Sequence, residues 1–148
     1  MTPQNHNLYS HYQKQFIKFK NKPALRLIDN KTIYYKDLEK ESAKIANYLR
    51  DHEVKIGDRV SIQVQKSPEA LYLYLACLRA GFVYHPLNVG YKESELNYFF
   101  QNAEPSLVVC DASNLEIIKN LASRSNFFSI ILLLKFKTNG ITVPFVVP

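Results

Sequence analysis

From Gly57 to Asp111 the chain reads GDRVSIQVQKSPEALYLYLACLRAGFVYHPLNVGYKESELNYFFQNAEPSLVVCD, and this stretch decides the fold. Short apolar runs at 59–65, 82–85 and 106–110 have the residue types of β-strands, and helical patterns separate them. Strands that alternate with helices need crossover connections, which join parallel strands. The sequence therefore predicts an α/β fold with a parallel β-α-β-α-β unit.

The first of these helices carries start and stop signals at its ends. Ser67 can cap free backbone N–H groups, Pro68 fits the first helical position, and Glu69 favours the positive end of the helix dipole. Gly81 predicts the stop. The residues between are apolar on most sides, so we expect this helix to be well buried. The second helix is expected over 93–102.

Upstream, the pattern predicts a helix over 7–20, a hairpin of strands 24–28 and 32–35, and a helix over 36–52. The apolar residues of the helix at 7–20 recur at helical spacing: Leu8, Tyr12, Phe16 and Phe19. The other face of this helix is basic. Such a helix either packs on its own domain, which we favour, or touches a membrane surface.

The composition is typical of a soluble protein with one core, because 47% of the 148 residues are hydrophobic and 22% are charged. The net charge of +6 permits non-specific contact with nucleic acid. However, the lysines are spread along the sequence, and it contains neither a Cys/His zinc pattern nor an RNA-binding aromatic signature. We therefore expect no nucleic-acid partner.

The cysteines and histidines do not indicate a metal site. Cys77 and Cys110 lie in apolar stretches, so we expect buried thiols rather than a disulfide framework. His85 stands alone on a strand, without a second histidine at ligand spacing. No nucleophile-elbow pattern supports a catalytic triad.

The two ends of the sequence differ in character. Residues 1–7 are polar and lack a signal-peptide core, and no stretch is long enough for a membrane span, so we expect no membrane span and a cytoplasmic location. After Asp111, residues 115–122 keep a helical stripe. The apolar run FFSIILLL at 127–134 indicates either a buried strand or an aggregation-prone segment.

Taken in order, the motifs of this chain resemble those of adenylate-forming acyl-CoA synthetases. These motifs are the Gly-Asp-Arg-Val strand, the Ser-Pro-Glu helix start, Arg-Ala-Gly at 79–81, Val-Tyr-His-Pro-Leu-Asn at 83–88 and Ala-Glu-Pro at 103–105. The segments at 66–88 and 91–99 are most similar to malonyl-CoA synthetases. The resemblance covers residues 7–123 and is lost past Arg124.

The resemblance implies a ligase reaction in two steps: ATP and a carboxylate form an acyl-adenylate, and the CoA thiol then displaces AMP. It implies ATP, Mg and CoA as cofactors of the full-length family and small molecules as partners. The family's glycine-rich phosphate loop, magnesium-binding acid and catalytic lysine lie downstream of the matching region. The four glycines here, Gly57, Gly81, Gly90 and Gly140, are isolated. We therefore expect no cofactor and no catalytic residue in these 148 residues.

Three residues are candidates for contact with substrate or CoA. In the family, the turn that holds Lys66 lies near the active-site side of the sheet, where its cation can meet a phosphate. Asn88 follows the end of a strand, where ligands of open α/β sheets bind. Arg79 lies in the last turn of its helix. The alternatives are a solvated lysine, a turn residue and a cation that complements the helix dipole.

We expect residues 1–124 to form a partial N-terminal subdomain and residues 125–148 to form a divergent hydrophobic tail. The chain would then be a ligase segment that is inactive alone, with malonate as the acid of the complete enzyme. The alternative is a non-catalytic α/β module or the defective product of a broken gene. An open apolar face and the tail predict self-association, and we expect deletion of 125–148 to reduce aggregation.

Overall fold

The computed structural model describes residues 7–124 and the backbone of residues 130–133. Within these ranges, helices and strands follow one another as the sequence predicts. In chain order they are α1 (Leu8–Lys18), β1 (Pro23–Arg26), β2 (Thr32–Tyr34), α2 (Tyr35–Asp51), β3 (Arg59–Gln63), α3 (Pro68–Ala80), β4 (Val83–Pro86), α4 (Glu93–Ala103), β5 (Leu107–Cys110), a 3-10 turn (Ala112–Asn114), α5 (Leu115–Arg124) and β6 (Ile130–Leu133).

The main sheet has the strand order β4-β3-β5-β6, and its neighbouring strands are parallel. Val60 in β3 lies beside Tyr84 in β4 on one side and beside Leu107 in β5 on the other. β1 and β2 form a separate antiparallel hairpin. The predicted parallel β-α-β-α-β unit, which runs from β3 to β5, is confirmed.

Helices cover both faces of the main sheet. On one face, α2 and α3 pack against residues such as Val60 and Val109. On the other face, α4 and α5 pack against Val108 and Cys110. A strand that is covered on both faces has no solvent-facing positions, which explains why β5 is apolar and buried throughout.

α3 begins and ends as its sequence predicts. The side-chain oxygen of Ser67 accepts a hydrogen bond from the backbone N–H of Ala70 at 3.1 Å. Gly81 adopts a φ of 77°, in the left-handed region that favours glycine, and its N–H donates to the carbonyl of Cys77. These local signals set the helix between the carboxyl end of β3 and the first residue of β4.

α1 differs from its predicted phase. The helical spacing placed Leu8 on the apolar face of the predicted helix. In the structure, however, Leu8 is 46% exposed, whereas Tyr9 is only 4% exposed. Asn7 caps the helix, since its side-chain oxygen accepts from the N–H of Tyr9 at 2.9 Å. The hydroxyl of Tyr9 donates to Glu39 in α2. This hydrogen bond explains why Tyr9, rather than Leu8, is the buried residue of the first turn. Phe16 is buried as predicted.

Ile130–Leu133 forms β6, which pairs in parallel with β5. For these four residues, the structure therefore supports the strand interpretation of the apolar run at 127–134. The other residues of the expected tail, 125–129 and 134–148, lie outside the described part of the chain. None of the described helices has the length and apolar character needed to cross a bilayer.

Candidate functional site

The loops that follow β3, β4 and β5 leave the main sheet at one edge, because the three strands are parallel. Ligands of open α/β sheets bind beyond the carboxyl ends of the strands. We call this region the loop edge, and it comprises residues 64–67, 87–92 and 111–114. Lys66 and Asn88, two of the three predicted site residues, lie on it.

Gln63, the last residue of β3, joins the three loops from inside. Its side chain is fully buried. Nε2 donates to the carbonyls of Asn88 at 3.0 Å and Tyr91 at 3.3 Å, and Oε1 accepts from Nδ2 of Asn114 at 3.1 Å. Both polar atoms of this amide therefore have partners, as buried polar groups require. Through these contacts Gln63 holds the loop edge in one arrangement.

Asp111 adds a second link between two of these loops. Its Oδ2 accepts the backbone N–H of Gln65 at 2.8 Å, and its own N–H donates to the carbonyl of Gln63 at 3.3 Å. The carboxylate thus accepts from a backbone donor of the neighbouring loop. This link makes Asp111 a structural residue of the loop edge.

Lys66 and Asn88 both lie in solvent at this edge. Within residues 7–124, the ammonium group of Lys66 forms no ion pair or hydrogen bond. Oδ1 of Asn88 accepts the N–H of Gly90 at 2.9 Å and closes a turn, which is the alternative that the sequence left open for this residue. A ligand contact stays a prediction for both side chains.

Arg79 lies apart from them, at the opposite edge of the sheet, in the last turn of α3. Its Nη1 donates to Oε1 of Glu39 at 2.7 Å and to the hydroxyl of Tyr9 at 2.5 Å. Its guanidinium carbon lies 5.0 Å from the centre of the Tyr9 ring. These contacts join α1, α2 and α3. A ligand role for Arg79 stays a prediction, whereas its structural role is visible.

Glu39 is the centre of this helix junction. Burial alone would raise the pKa of Glu39, but hydrogen bonds from Tyr9, Arg79 and Gln13 outweigh it and hold the pKa below its ordinary value. The carboxylate is therefore ionised at neutral pH. Its charge keeps the guanidinium of Arg79 paired and holds α1 against the rest of the fold.

Ser61 and His85 form a polar pair between β3 and β4, with 2.8 Å between Oγ and Nδ1. Burial, with a smaller contribution from the charge of Arg59, lowers the pKa of His85, so that its ring is neutral at pH 7. Ser61 is fully buried. A hydroxyl in this position does not meet a substrate, so the pair satisfies buried polar atoms rather than forming a catalytic dyad.

The two thiols are also unreactive. Cys77 and Cys110 are buried and free, as predicted. Burial raises the pKa of each thiol to about 12, so neither is a thiolate at neutral pH. Among the described residues, no group of three or more His, Cys, Asp or Glu side chains could hold a metal ion.

A recess of about 560 Å³ lies between the start of α4 and the end of α5. Its lining residues are Lys92, Glu93, Ser94, Asn97, Leu121 and Arg124. Nη1 of Arg124 donates to Glu93 at 2.8 Å, which neutralises this cation within the recess. None of the three predicted site residues lines it.

The loop edge alone does not fit ATP and its magnesium ion. Phosphates are held by convergent backbone N–H groups of a glycine-rich loop, together with a lysine and a metal. Gly57 and Gly81 lie at the opposite edge, where the N–H of Gly57 donates to the carbonyl of Gly81 at 2.8 Å. Gly90 is an isolated glycine on the loop edge. No step with ATP, magnesium or CoA is therefore assigned to these residues.

Gln63 is the site residue that the sequence reasoning missed. The alternation of Val60, Ile62 and Val64 indicates a strand, but it does not single out the polar residues Ser61 and Gln63 between them. In a parallel sheet with helices on both faces the polar positions are buried as well. A glutamine that ends a strand of such a sheet is the signal that could have identified it.

Two curated proteins and one solved structure are similar to this chain. The acetyl-coenzyme A synthetase of Bradyrhizobium sp. (strain ORS 278) is 37% identical over 81 residues, which are 55% of this chain and 12% of that protein. The mitochondrial acyl-CoA synthetase short-chain family member 3 of Bos taurus is 35% identical over 85 residues, which are 57% of this chain and 12% of that protein.

The crystal structure of apo MatB from Rhodopseudomonas palustris is 38% identical in sequence and has a TM-score of 0.77 to this chain. The match covers 86% of this chain and 25% of MatB. This chain therefore spans a quarter of MatB and about an eighth of the two synthetases.

Residues 12–139 match the family described as AMP-binding enzyme. The match begins within α1, includes the main sheet, and continues past Arg124, where the resemblance had been expected to end. The likeness to adenylate-forming acyl-CoA synthetases that the motifs indicated is confirmed. The chain belongs to the AMP-binding enzyme family.

Proposed function

We propose that this chain supplies the N-terminal α/β segment of an ATP-dependent acid–thiol ligase, and that the acid is malonate. The segments at 66–88 and 91–99 that resemble malonyl-CoA synthetases form α3, β4 and most of α4, which surround the loop edge. The 38% identity to MatB, in a match that covers 86% of the chain, agrees with that resemblance. These two observations support malonate as the acid.

The observation that carries this proposal is the loop edge, in which Gln63 binds three loops together at the carboxyl ends of parallel strands. Lys66 and Asn88 reach solvent from this edge, and we assign them contacts with an anionic group of CoA or ATP in the complete ligase. In that reaction ATP would supply the adenylyl group and the driving force, Mg²⁺ would neutralise phosphate charge, and CoA would supply the thiol. Arg79 holds α1 in place.

In this proposal residues 1–124 act as the N-terminal subdomain of a cytoplasmic ligase, and residues 125–148 act as a hydrophobic tail. The family match extends to residue 139, and β6 (Ile130–Leu133) pairs with β5. The chain alone is inactive, because its sequence holds no glycine-rich phosphate loop and its loop edge does not fit a nucleotide.

The experiment measures ATP–pyrophosphate exchange that depends on malonate with the purified chain. The positive control is MatB from Rhodopseudomonas palustris, a malonyl-CoA synthetase. We expect the chain to give the rate of the blank without protein. Malonate-dependent exchange above that blank, which disappears when the chain is denatured, would overturn the proposal that the chain is inactive alone.

A further inference from the structure

The positive charge of the chain is concentrated in its first third. Residues 7–44 contain nine Lys and Arg against four Asp and Glu, whereas residues 45–148 contain ten against nine. Five of the six net positive charges therefore belong to α1, the hairpin and the first half of α2. The proposed ligase function does not use this charge.

Folding brings four of these lysines together: Lys18, Lys20, Lys22 and Lys36. The ammonium groups of Lys18 and Lys22 lie 5.2 Å and 4.9 Å from the centre of the Phe19 ring. The backbone N–H of Lys36 donates to the carbonyl of Lys20 at 3.1 Å. We call these four residues the lysine patch.

Aromatic rings form the base of the lysine patch. The rings of Phe19 and Tyr35 are 6.3 Å apart, and the N–H of Tyr35 donates to the carbonyl of Lys22 at 3.2 Å. The ammonium group of Lys36 lies 5.4 Å from the centre of the Tyr34 ring. The ammonium groups are attracted to the faces of these rings. The contact between Phe19 and Tyr35 holds the end of α1 against the start of α2.

The lysine patch has no counter-charge within residues 7–124. The carboxylates of residues 7–44 are engaged elsewhere: Asp29 with the N–H of Lys31, Asp37 with the N–H of Tyr34, Glu39 with Arg79, and Glu41 with Lys44. None of the ion pairs among the described residues includes a lysine of the patch. Uncompensated cations at one place attract an anionic surface.

Apolar surface adjoins the patch. Ile17 is 63% exposed and directly precedes Lys18. Lys14 lies one helical turn before Lys18, on the face of α1 opposite the buried Phe16. A helix with a basic face and an exposed apolar side chain suits the boundary between headgroups and acyl chains, where each group finds its preferred environment.

We propose that the lysine patch docks the protein onto an anionic lipid surface. Lipid headgroups fit better than nucleic acid for two reasons. The patch consists of lysines, which act as point charges and do not read bases with a bidentate fork. The ammonium groups of Lys18 and Lys22 lie 5.2 Å and 4.9 Å from the centre of the Phe19 ring, so this ring is not free to stack on a base.

The test is flotation of the full chain with lipid vesicles in a density gradient, because bound protein rises with the vesicles while aggregated protein sinks. Phosphatidylcholine vesicles are compared with vesicles that also contain phosphatidylserine. We expect flotation with the anionic vesicles at low salt, and loss of it at high salt, where surface charges are screened.

The patch variant carries K18Q, K20Q, K22Q and K36Q. The matched control carries K44Q, K55Q, K92Q and K119Q, which remove the same charge from the net +6 at exposed or half-exposed positions outside the patch. We expect the partition onto anionic vesicles to fall up to about a thousandfold in the patch variant and only a few-fold in the control. Circular dichroism checks that both variants keep their helix content.

Three outcomes would overturn the proposal. The full chain does not float with anionic vesicles, or both variants lose flotation equally, which would show that net charge alone acts. In the third, the chain binds a DNA duplex in a fluorescence anisotropy titration with the same dependence on the patch but does not float. That result would assign the patch to nucleic acid instead.

Discussion

Gln63 shows how one buried amide organises a whole edge of the sheet. Its three hydrogen bonds reach the loops after β4 and β5 from the last position of β3. The carbonyls of Asn88 and Tyr91 and the side chain of Asn114 depend on it for these contacts. The geometry of the loop edge is therefore set by a residue that is itself fully buried.

We expect Gln63→Leu to destabilise the protein by about 3 kcal/mol, because an apolar side chain leaves polar groups of two loops without their partner. Urea denaturation followed by circular dichroism measures this loss. The control is Gln65→Leu, at an exposed position of the same loop, where we expect a change below about 0.5 kcal/mol. Equal effects of the two substitutions would contradict the role given to Gln63.

Glu39 gives the helix junction a dependence on pH. Its pKa in the folded protein lies below the ordinary value of 4.5, so its contribution to stability is present above that value and is lost as the pH falls through the lowered pKa. The unfolding free energy of wild type should therefore exceed that of Glu39→Gln at pH 7, and the gap should narrow below about pH 4.5. A gap that stays constant down to pH 3 would show that the charge of Glu39 is irrelevant.

At the scale of single elements, α3 runs from the loop edge to the opposite end of the strands of the main sheet. Its start, capped by Ser67, adjoins the loop edge, and its end at Gly81 adjoins the first residue of β4. A β-carbon built on Gly81 would lie 3.2 Å from Cγ2 of Ile56. The stop of α3 therefore depends on both the backbone angle and the space at this glycine.

We expect Gly81→Ala to cost about 2 kcal/mol of stability, since it combines a left-handed backbone with a crowded β-carbon. Gly57→Ala is the matched control, because Gly57 also has a positive φ, of 88°, but a β-carbon there meets no atom within 4 Å. Its cost should be nearer 1 kcal/mol. Thermal unfolding measures the loss of stability in each variant. A larger loss for Gly57→Ala than for Gly81→Ala would contradict the steric contribution assigned to Gly81.

The sequence predicted the elements whose signals are local. The cap at Ser67, the stop at Gly81 and the apolar runs of β3 and β5 each depend on neighbours in the chain, and all appear in the structure. The phase of α1 and the role of Gln63 could not be predicted in this way. Both depend on partners distant in sequence, namely Glu39 for Tyr9 and Asn114 for Gln63.

At the scale of the molecule, the main sheet has two edge strands, β4 and β6, and they differ. Backbone N–H groups of Val83 and Leu87 donate to β3 and its flank, which leaves Tyr84 and Pro86 on the outer side of β4. Proline has no N–H, so this edge offers little to a further strand. We therefore expect self-association to involve the side of β5 and β6 rather than β4.

Truncations test this expectation by sedimentation velocity. Because β6 pairs with β5, deletion of 125–148 removes the tail but also uncovers β5, whose four positions are apolar. A chain of residues 1–133 keeps this pairing and loses the apolar end ITVPFVVP. We expect the full chain to associate, residues 1–133 to associate least, and residues 1–124 to lie between them. A full chain that sediments as a compact monomer would contradict this.

The central claim is that residues 12–124 form the N-terminal segment of an AMP-binding ligase. The most direct measurement replaces the aligned segment of MatB from Rhodopseudomonas palustris with these residues and assays malonate-dependent ATP–pyrophosphate exchange. We expect a folded hybrid with exchange within about tenfold of MatB, and a further loss when it carries Gln63→Leu. A hybrid that unfolds as cooperatively as MatB and yet shows no malonate-dependent exchange would contradict the claim.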